Sequence, residues 1–538
     1  MSSSVTPNSD AFPVVVVGAG LAGLTAALTL AERGLPPIVL EADSLWPGGR
    51  LAGGAFDTFE HDGRTWSFRT CHGVHALWGG YDNTRAVLKH HLGVDLRLST
   101  GEDWIDRWGR EVRSAEAGTA VRYAWLPAPF HYLMLLLRPR FWPTITPLDF
   151  LSLPGFLVSI LLTLGFDPLR EQTPLDGLLM KEYFRGWTRN LRVTFIGLGR
   201  NLLAAPDEAI PLASFVAALR FYTMLRRDSW HPEYFAANSH DALVAPMIER
   251  LNALGGRVFR GAEAMLLEAV PSATPPYWKI HVDDKTRGGR RWLDAQHVIL
   301  AVDPPAAQRL LAASPALAER AAELRIPPAV PSVTVRLWFD RAPAGGAPGG
   351  MFNGDFPMDN FFWLHRLHDE FKAWHAATGG SAIETHLYGR PGLFEQSDQA
   401  LLVLVATEVQ RAFPALRGRF VHGSVRRNLR TQTLFIIPTA DSLGVETPWP
   451  GLLACGDWIA HPSPALNMER SVITALEAAN SVLRVHDLEP WPIVPPPRPE
   501  MLAGLLGGLT RAGRWLLTPP IRGLVRAIRR RSAPAASR

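Results

Sequence analysis

A chain of 538 residues, 47% of them hydrophobic, can bury a large core and should divide into about two or three domains. Its two cysteines, Cys71 and Cys455, exclude a disulfide scaffold and lack zinc-ligand spacing, so a reducing compartment and no metal are expected. The net charge of +5 is diffuse except at the C-terminus, and no nucleic-acid motif or internal repeat accompanies it. The first thirteen residues show neither the basic nor the apolar region of a secretory signal.

In chain order, Val14–Val17 reads as a strand buried on both faces, as in a parallel sheet. Gly18-Ala19-Gly20-Leu21-Ala22-Gly23 follows, with its glycines in the order G-x-G-x-x-G. The first glycine allows a tight turn, the second lets a pyrophosphate approach, and the third lets helix and strand pack closely. A helix from about Leu21 to Arg33 offers free N–H groups and a positive dipole end to phosphate. The strand Pro37–Leu40 then ends in Glu41 and Ala42, where a carboxylate suits a ribose hydroxyl pair. Together these elements predict a dinucleotide site. Gly48, Gly49 and Arg50 come where a nicotinamide-binding unit would start another helix. The glycines allow a turn close to a ligand, and Arg50 offers a fork of donors for phosphate.

The α/β signature returns later. Leu243–Leu254 has helical spacing and leads into a turn and strand, Gly255–Phe259. His297–Val302 is an apolar strand, and Gly451–Leu483 reads as a short strand, a Gly456-Asp457 turn and a long helix. The stretches between are longer and richer in aromatics and proline. The predicted class is therefore α/β: a Rossmann-like nucleotide domain assembled from segments 1–100, 241–308 and 431–485. An α+β substrate lobe is inserted as 101–240 and 309–430. A Pro-rich hinge and basic tail complete the chain at 486–538.

The Ser44–Arg50 loop resembles the second phosphate-contacting loop of flavin-dependent amine oxidases and carotenoid desaturases. The resemblance runs roughly from Val14 to Leu483. It implies bound FAD and a two-lobed, p-hydroxybenzoate-hydroxylase-like architecture. Gly456 and Asp457 are then expected at the flavin, with the carboxylate accepting from ribityl hydroxyls; the other reading of Asp457 is a cap for a helix starting near Pro464. Amine oxidases are expected to carry a lysine in the strand aligned with Pro331–Asp340, and a tyrosine after the acidic pair. This chain reads PSVTVRLWFD and DWIAHPSPALNMER, so an amine substrate is disfavoured.

Cys71–Gly93, Leu364–Leu367, Glu384–Tyr388 and Pro464–Arg470 are similar to carotenoid desaturases, especially the bacterial branch acting on carotene end rings. The implied activity is FAD-dependent desaturation of a carotenoid or related polyisoprenoid. Two other readings stand beside it. One is a flavin oxidase or isomerase acting on another apolar molecule, such as a squalene derivative; the other is a non-catalytic FAD-holding scaffold at a membrane. His72 and His75 are the first candidates for groups beside the flavin, followed by His461 and Arg470. The alternative for each is a hydrogen bond within a packed loop.

An apolar substrate would sit in lipid. Phe150–Phe166 is uncharged over seventeen residues, short of the roughly twenty needed for a span. With Phe130–Phe141 it reads either as buried helices or as a monotopic patch. In Met501–Arg531, leucines and Trp515 combine with Arg511, Arg514, Arg522, Arg526, Arg529, Arg530 and Arg531, which suits an anionic membrane surface. A solvated tail and a partner-binding helix are the alternatives. The expected setting is cytoplasmic, peripheral on the inner face of the cell membrane, with no nucleic-acid partner. No feature of the sequence sets an oligomeric state.

Overall fold

In a computed structural model the chain is described over residues 11–532, except 109–110, 118–120, 172–174, 176, 272–276 and 389–391. The side chains of 11, 108, 116, 429–431 and 518–532 are likewise not described. Most of the N-terminus read for a secretory signal therefore lies outside the described residues, as do the side chains of Arg522, Arg526, Arg529, Arg530 and Arg531.

The four valines belong to the strand Ala11–Val17. Ile38–Glu41 pairs with it on one side and Gly289–Leu300 on the other, both parallel, with Val15 opposite Ile38 and Val298. Arg257–Arg260 extends the sheet beyond Ile38–Glu41, and Leu452–Ala454 lies beside the end of Gly289–Leu300. Strands from three distant parts of the chain thus close around the glycine motif. Both faces of the central strands are apolar because helices cover them. Leu21–Glu32 packs against Asn467–Val485, and nearly every residue of the first helix is buried. An antiparallel extension, Ala262–Val270 and Tyr277–Asp284, completes this sheet.

A second seven-stranded sheet runs in the order Phe420–Thr433, Ala329–Phe339, Ser381–Leu387, Asn360–Trp363, Gly349–Phe352, Asp103–Trp108 and Glu111–Glu116. Asp103–Trp108 and Glu111–Glu116 therefore share one sheet with strands drawn from Ala329 to Thr433, so the chain enters this sheet of the inserted lobe twice. The nucleotide sheet and this lobe give the α/β class with an α+β insertion expected from the sequence.

Four local expectations change. The helix after Gly456-Asp457 begins at Asn467, so Asp457 does not cap it. Phe130–Phe141 forms 3-10 turns rather than a helix, and within Phe150–Phe166 the α-helix runs from Leu153 to Gly165, with Pro154 in its first turn, where proline is tolerated. The Pro-rich segment is a pinned strap rather than a hinge. Trp491 exchanges two hydrogen bonds with Asn480 (2.7 and 2.8 Å), Val494 exchanges two with Asn83 (2.8 and 2.9 Å), and Glu500 accepts from the Ala128 N–H at 3.0 Å. Finally, the tail helix Met501–Ser532 docks on Leu153–Gly165 through small residues. A Cβ at Gly165 would lie 2.5 Å from Thr510, and one at Gly507 would lie 2.9 Å from the Leu164 carbonyl. Arg511 and Arg514 pair with Glu171, so these two arginines face protein, not the headgroups assigned to them.

Four buried imidazoles, His91, His131, His365 and His368, are each brought down to about 4, with desolvation the largest cause. Unfolded, they would take a proton near 6.5. The folded state refuses that proton, so stability is complete above pH 6.5 and drains away as pH falls towards 4. Each group is worth on the order of 3 kcal/mol at neutral pH. Burial lifts Glu102 to about 7 and raises Glu41, Asp106, Glu370 and Glu469 as well, which acts oppositely as pH rises. But His72 and His75, lowered by the same cause, join the four imidazoles. The melting temperature should fall steadily between pH 6.5 and 4.5; a flat or rising profile there contradicts the burial of these imidazoles as neutral groups.

Candidate active site

A cavity of about 640 Å³ opens where the nucleotide sheet meets the inserted lobe. Every residue expected at the nucleotide except Gly23 lines it, as do His72 and His75. His461 and Arg470 do not.

The glycines divide by what fills the space a side chain would take. At Gly18, which has φ +106°, a Cβ would sit 2.5 Å from the Ala301 carbonyl; at Gly23 it would sit 1.9 Å from the Gly18 carbonyl. Both are required by protein packing. Gly20 is different: its backbone is extended (φ −74°), and a Cβ there meets nothing nearer than the Gly48 carbonyl at 3.9 Å. The free space faces the cavity. Gly49, at φ +57°, brings the second loop to Gly20, with its Cβ position 3.6 Å from the Gly20 Cα. No side chain caps the Leu21–Glu32 helix, so its first N–H groups remain available to an anion. Bare N–H groups, a helix dipole and vacant space over Gly20 fit a pyrophosphate.

Glu41 sits at the strand end as expected. Its two oxygens accept from the N–H groups of Ala19 at 3.1 Å and Asp43 at 2.9 Å, which fix the carboxylate at the cavity wall. Burial raises its pKa, and these N–H groups only partly offset the rise. Arg50 is not the free phosphate donor the sequence suggested. Its guanidinium grips Asp457 through two contacts of 2.7 Å, and Asp457 also accepts from the Thr433 hydroxyl at 3.3 Å. The pair ties the N-terminal loop to the C-terminal turn and places an ion pair in the wall.

Desolvation lowers His75 to about 4, and the neighbouring His386 adds to the effect; its Nδ1 lies 3.0 Å from the Ser239 hydroxyl. His72 is also held well below its ordinary value, by burial first and then by His75 and Arg50. Both rings are therefore held neutral at pH 7. His461 and Arg470 instead organise the loop before Asn467–Val485. His461 Nδ1 accepts from the Ser463 N–H and its Nε2 lies 2.9 Å from Glu477. Arg470, 1% exposed, donates to the carbonyls of Ala465 (2.8 Å) and Ser463 (2.9 Å). Their placement as flavin neighbours is therefore corrected to loop support.

Sequence reading missed a buried polar chain, Arg336–Glu384–His386–Tyr388, whose last two members line the cavity. Its signal was available: Glu384 and His386 alternate along the buried strand Ser381–Leu387, and Tyr388 keeps the same spacing just past its end. A second unflagged cluster, Glu32, His90 and His91, brings three ligand-capable atoms within 4.8 Å. Arg250 acts on both Glu32 and His91, and Glu32 reaches both imidazoles, clasping two helices together.

Residues 21–483 match the family of flavin containing amine oxidoreductases. The carotenoid phi-ring synthase of Streptomyces griseus is 27% identical over 507 residues, covering 88% of each chain. The 15-cis-phytoene desaturase of Narcissus pseudonarcissus is 27% identical over 338 residues, covering 61% of this chain and 54% of that protein. Among solved structures, cyclohexylamine oxidase from Brevibacterium oxydans superposes with a TM-score of 0.62 at 14% identity, covering 88% of this chain and 99% of that one. The family match spans most of the chain and agrees with a cavity built for a dinucleotide: the protein belongs to the flavin containing amine oxidoreductases and is an FAD-dependent oxidoreductase.

Proposed function

We propose that this enzyme desaturates a carotenoid or a closely related polyisoprenoid at an end ring. The observation that carries the reading is the cavity wall beyond the nucleotide loops. It presents Trp78, Tyr81, Trp230, Tyr234, Met351 and Phe362, and no lysine among the described lining residues. Such a wall binds by excluding water from hydrocarbon. The likeness to a carotenoid phi-ring synthase over 88% of both chains supports the same class.

Gly18–Gly23, Glu41 and Gly49 would hold the dinucleotide, and the Arg50–Asp457 pair would fix the two loops around it. FAD, when bound, supplies the two-electron acceptor. The protein supplies a dry slot and two uncharged imidazoles. Neutral His72 and His75 place no fixed positive charge beside a substrate carbon that becomes electron-poor as hydride leaves it. Purified holoenzyme should show anaerobic flavin bleaching with a carotenoid in liposomes, and no hydrogen peroxide from primary or secondary amines. Robust amine oxidation would overturn the reading, and bleaching by a squalene derivative alone would move it to the second substrate class. A flavin reduced by none of these lipids would favour the scaffold.

The proposal extends to where substrate is met: peripherally, at the cytoplasmic face of the cell membrane. The apolar stretch Pro147–Gly165 is only 33% buried, with Leu151 71% and Val158 67% exposed. The docked tail helix adds exposed Leu505, Leu509 and Trp515 beside it. An apolar face of this kind suits shallow insertion of a monotopic protein. Leu151→Glu/Val158→Glu should lower co-sedimentation with neutral and anionic vesicles alike and leave flavin content unchanged. Removing everything after Pro499 should lower binding to anionic vesicles more than to neutral ones. Equal sedimentation of all three proteins contradicts the surface.

A further inference from the structure

We infer that Tyr388, acting through His386, Glu384 and Arg336, takes the proton that a substrate carbon loses. The assignment rests on the desaturase reading and deepens it by naming the group that handles the proton.

Ser381–Leu387 lies inside the second sheet, between Ala329–Phe339 and Asn360–Trp363, with Glu384 opposite Arg336 and His386 opposite Asn360. Arg336 donates to one Glu384 oxygen from Nη2 at 2.7 Å and Nε at 3.2 Å. The other oxygen receives the Val74 N–H at 2.7 Å and lies 2.9 Å from His386 Nε2. Burial pushes the Glu384 carboxyl up, but Arg336 and His386 together outweigh it and hold it far below the carboxylate range. An ionised carboxylate can only accept, so His386 Nε2 carries its hydrogen and Nδ1 is the acceptor. The atom 2.9 Å from Nδ1 is the Tyr388 hydroxyl, which therefore donates. Asn360 Nδ2 lies 3.1 Å from the same oxygen as a second donor. Burial also keeps the phenol above its ordinary value, so Tyr388 enters the reaction protonated.

The polar chain starts behind the cavity and ends in it. His386 and Tyr388 line the wall beside Asn360 and Phe362, whereas Arg336 and Glu384 stand behind. The histidine loop rests on it: a Cβ at Gly73 would lie 2.7 Å from His386 Nε2. Of the two hydrogens removed from adjacent carbons, one would leave as hydride with its electron pair, which FAD, when bound, would accept. On the neighbouring carbon the C–H bond breaks and its electron pair becomes the new π bond. Tyr388 Oη takes that proton while its own passes to His386 Nδ1, and the imidazolium rests against the Glu384 carboxylate. The net transfer is one proton, from substrate to His386. Among the described residues Glu102 receives one side-chain bond, from Trp230 Nε1, and His75 is bonded to Ser239 rather than to a carboxylate.

Tyr388 is then a catalytic residue; His386, Glu384 and Arg336 are positioning residues. The test uses Tyr388→Phe, His386→Asn, Glu384→Gln and Glu102→Gln holoenzymes in anaerobic single turnover with carotenoid vesicles, in H2O and in D2O. Flavin content by absorbance reports folding, and phenylalanine keeps the ring in place. Tyr388→Phe and His386→Asn should retain flavin and KM while flavin reduction slows by about 10²–10⁴-fold. A solvent isotope effect in the parent, from the Tyr388 O–H, should vanish in Tyr388→Phe, and Glu384→Gln should lower kcat with KM unchanged. Flavin reduction by Tyr388→Phe within about threefold of the parent, or a loss confined to Glu102→Gln, overturns the assignment. A parent that reduces no flavin with any isoprenoid fails the desaturase reading itself, and this assignment with it.

Discussion

Gly20→Val should emerge from purification folded and without flavin. Its backbone is extended at φ −74°, a conformation valine adopts readily, and a Cβ there meets no protein atom nearer than 3.9 Å. Nothing in the apoprotein resists the substitution. The branched side chain would occupy the space over the helix N-terminus where a pyrophosphate must approach within hydrogen-bond distance. Losing that contact removes the dipole and N–H interactions together, and with them retention of the cofactor. Flavin absorbance per protein, before and after denaturation, measures the effect, and the apoprotein melting temperature checks the fold. Normal flavin content would mean that Gly20 does not face the pyrophosphate. Gly23→Ala makes the contrast: its Cβ would lie 1.9 Å from the Gly18 carbonyl, so it should destabilise the apoprotein itself.

The second large effect is on stability. Arg336 and Glu384 form an ion pair at 2.7 Å with side-chain exposures of 6% and 0%. Arg336→Leu leaves the carboxylate buried with only His386 and the Val74 N–H, and also takes donors from the Arg69 carbonyl and Cys71 Sγ. Removing one partner of a buried pair costs about 3–5 kcal/mol, because the remaining charge is uncompensated. Replacing both with leucine removes the stranded charge, so Arg336→Leu/Glu384→Leu should melt higher than Arg336→Leu alone. Thermal unfolding of the apoproteins at pH 7 decides it. A single variant that melts with the parent would mean the pair is solvated.

Both outcomes bear on what could be read from the chain alone. The nucleotide half was legible because its determinants are contiguous: a valine strand, three spaced glycines, a helix and an acidic strand end. Each is a local conformational demand written in adjacent residues. The returning strands were legible as apolar runs, and the lack of a lysine at Pro331–Asp340 counted against an amine substrate through the comparison with amine oxidases. What stayed hidden was which distant residues meet. Arg50 and Asp457, each given its own ligand contact, pair across 407 positions, since both strand ends converge on one cavity. Asp457 is freed for that because the following helix starts ten residues later, at Asn467.

The same limit applies to the lobe and the tail. Glu384, His386 and Tyr388 carried a visible alternation, but Arg336 joins them only through the antiparallel register of two strands. His461 and Arg470 sat in a motif next to the flavin turn, yet the fold aims them at their own loop. The basic tail looked like one uniform amphipathic helix until Glu171 took Arg511 and Arg514. The sequence by itself determined the nucleotide fold, because backbone conformation and hydrophobic pattern are local properties. FAD and the expectation of an apolar substrate came through its resemblance to flavin amine oxidases and carotenoid desaturases. Only the tertiary structure decided which charges neutralise one another and which polar groups face the cavity, because in a buried, low-dielectric interior those outcomes depend on neighbours brought together by strand register and helix docking.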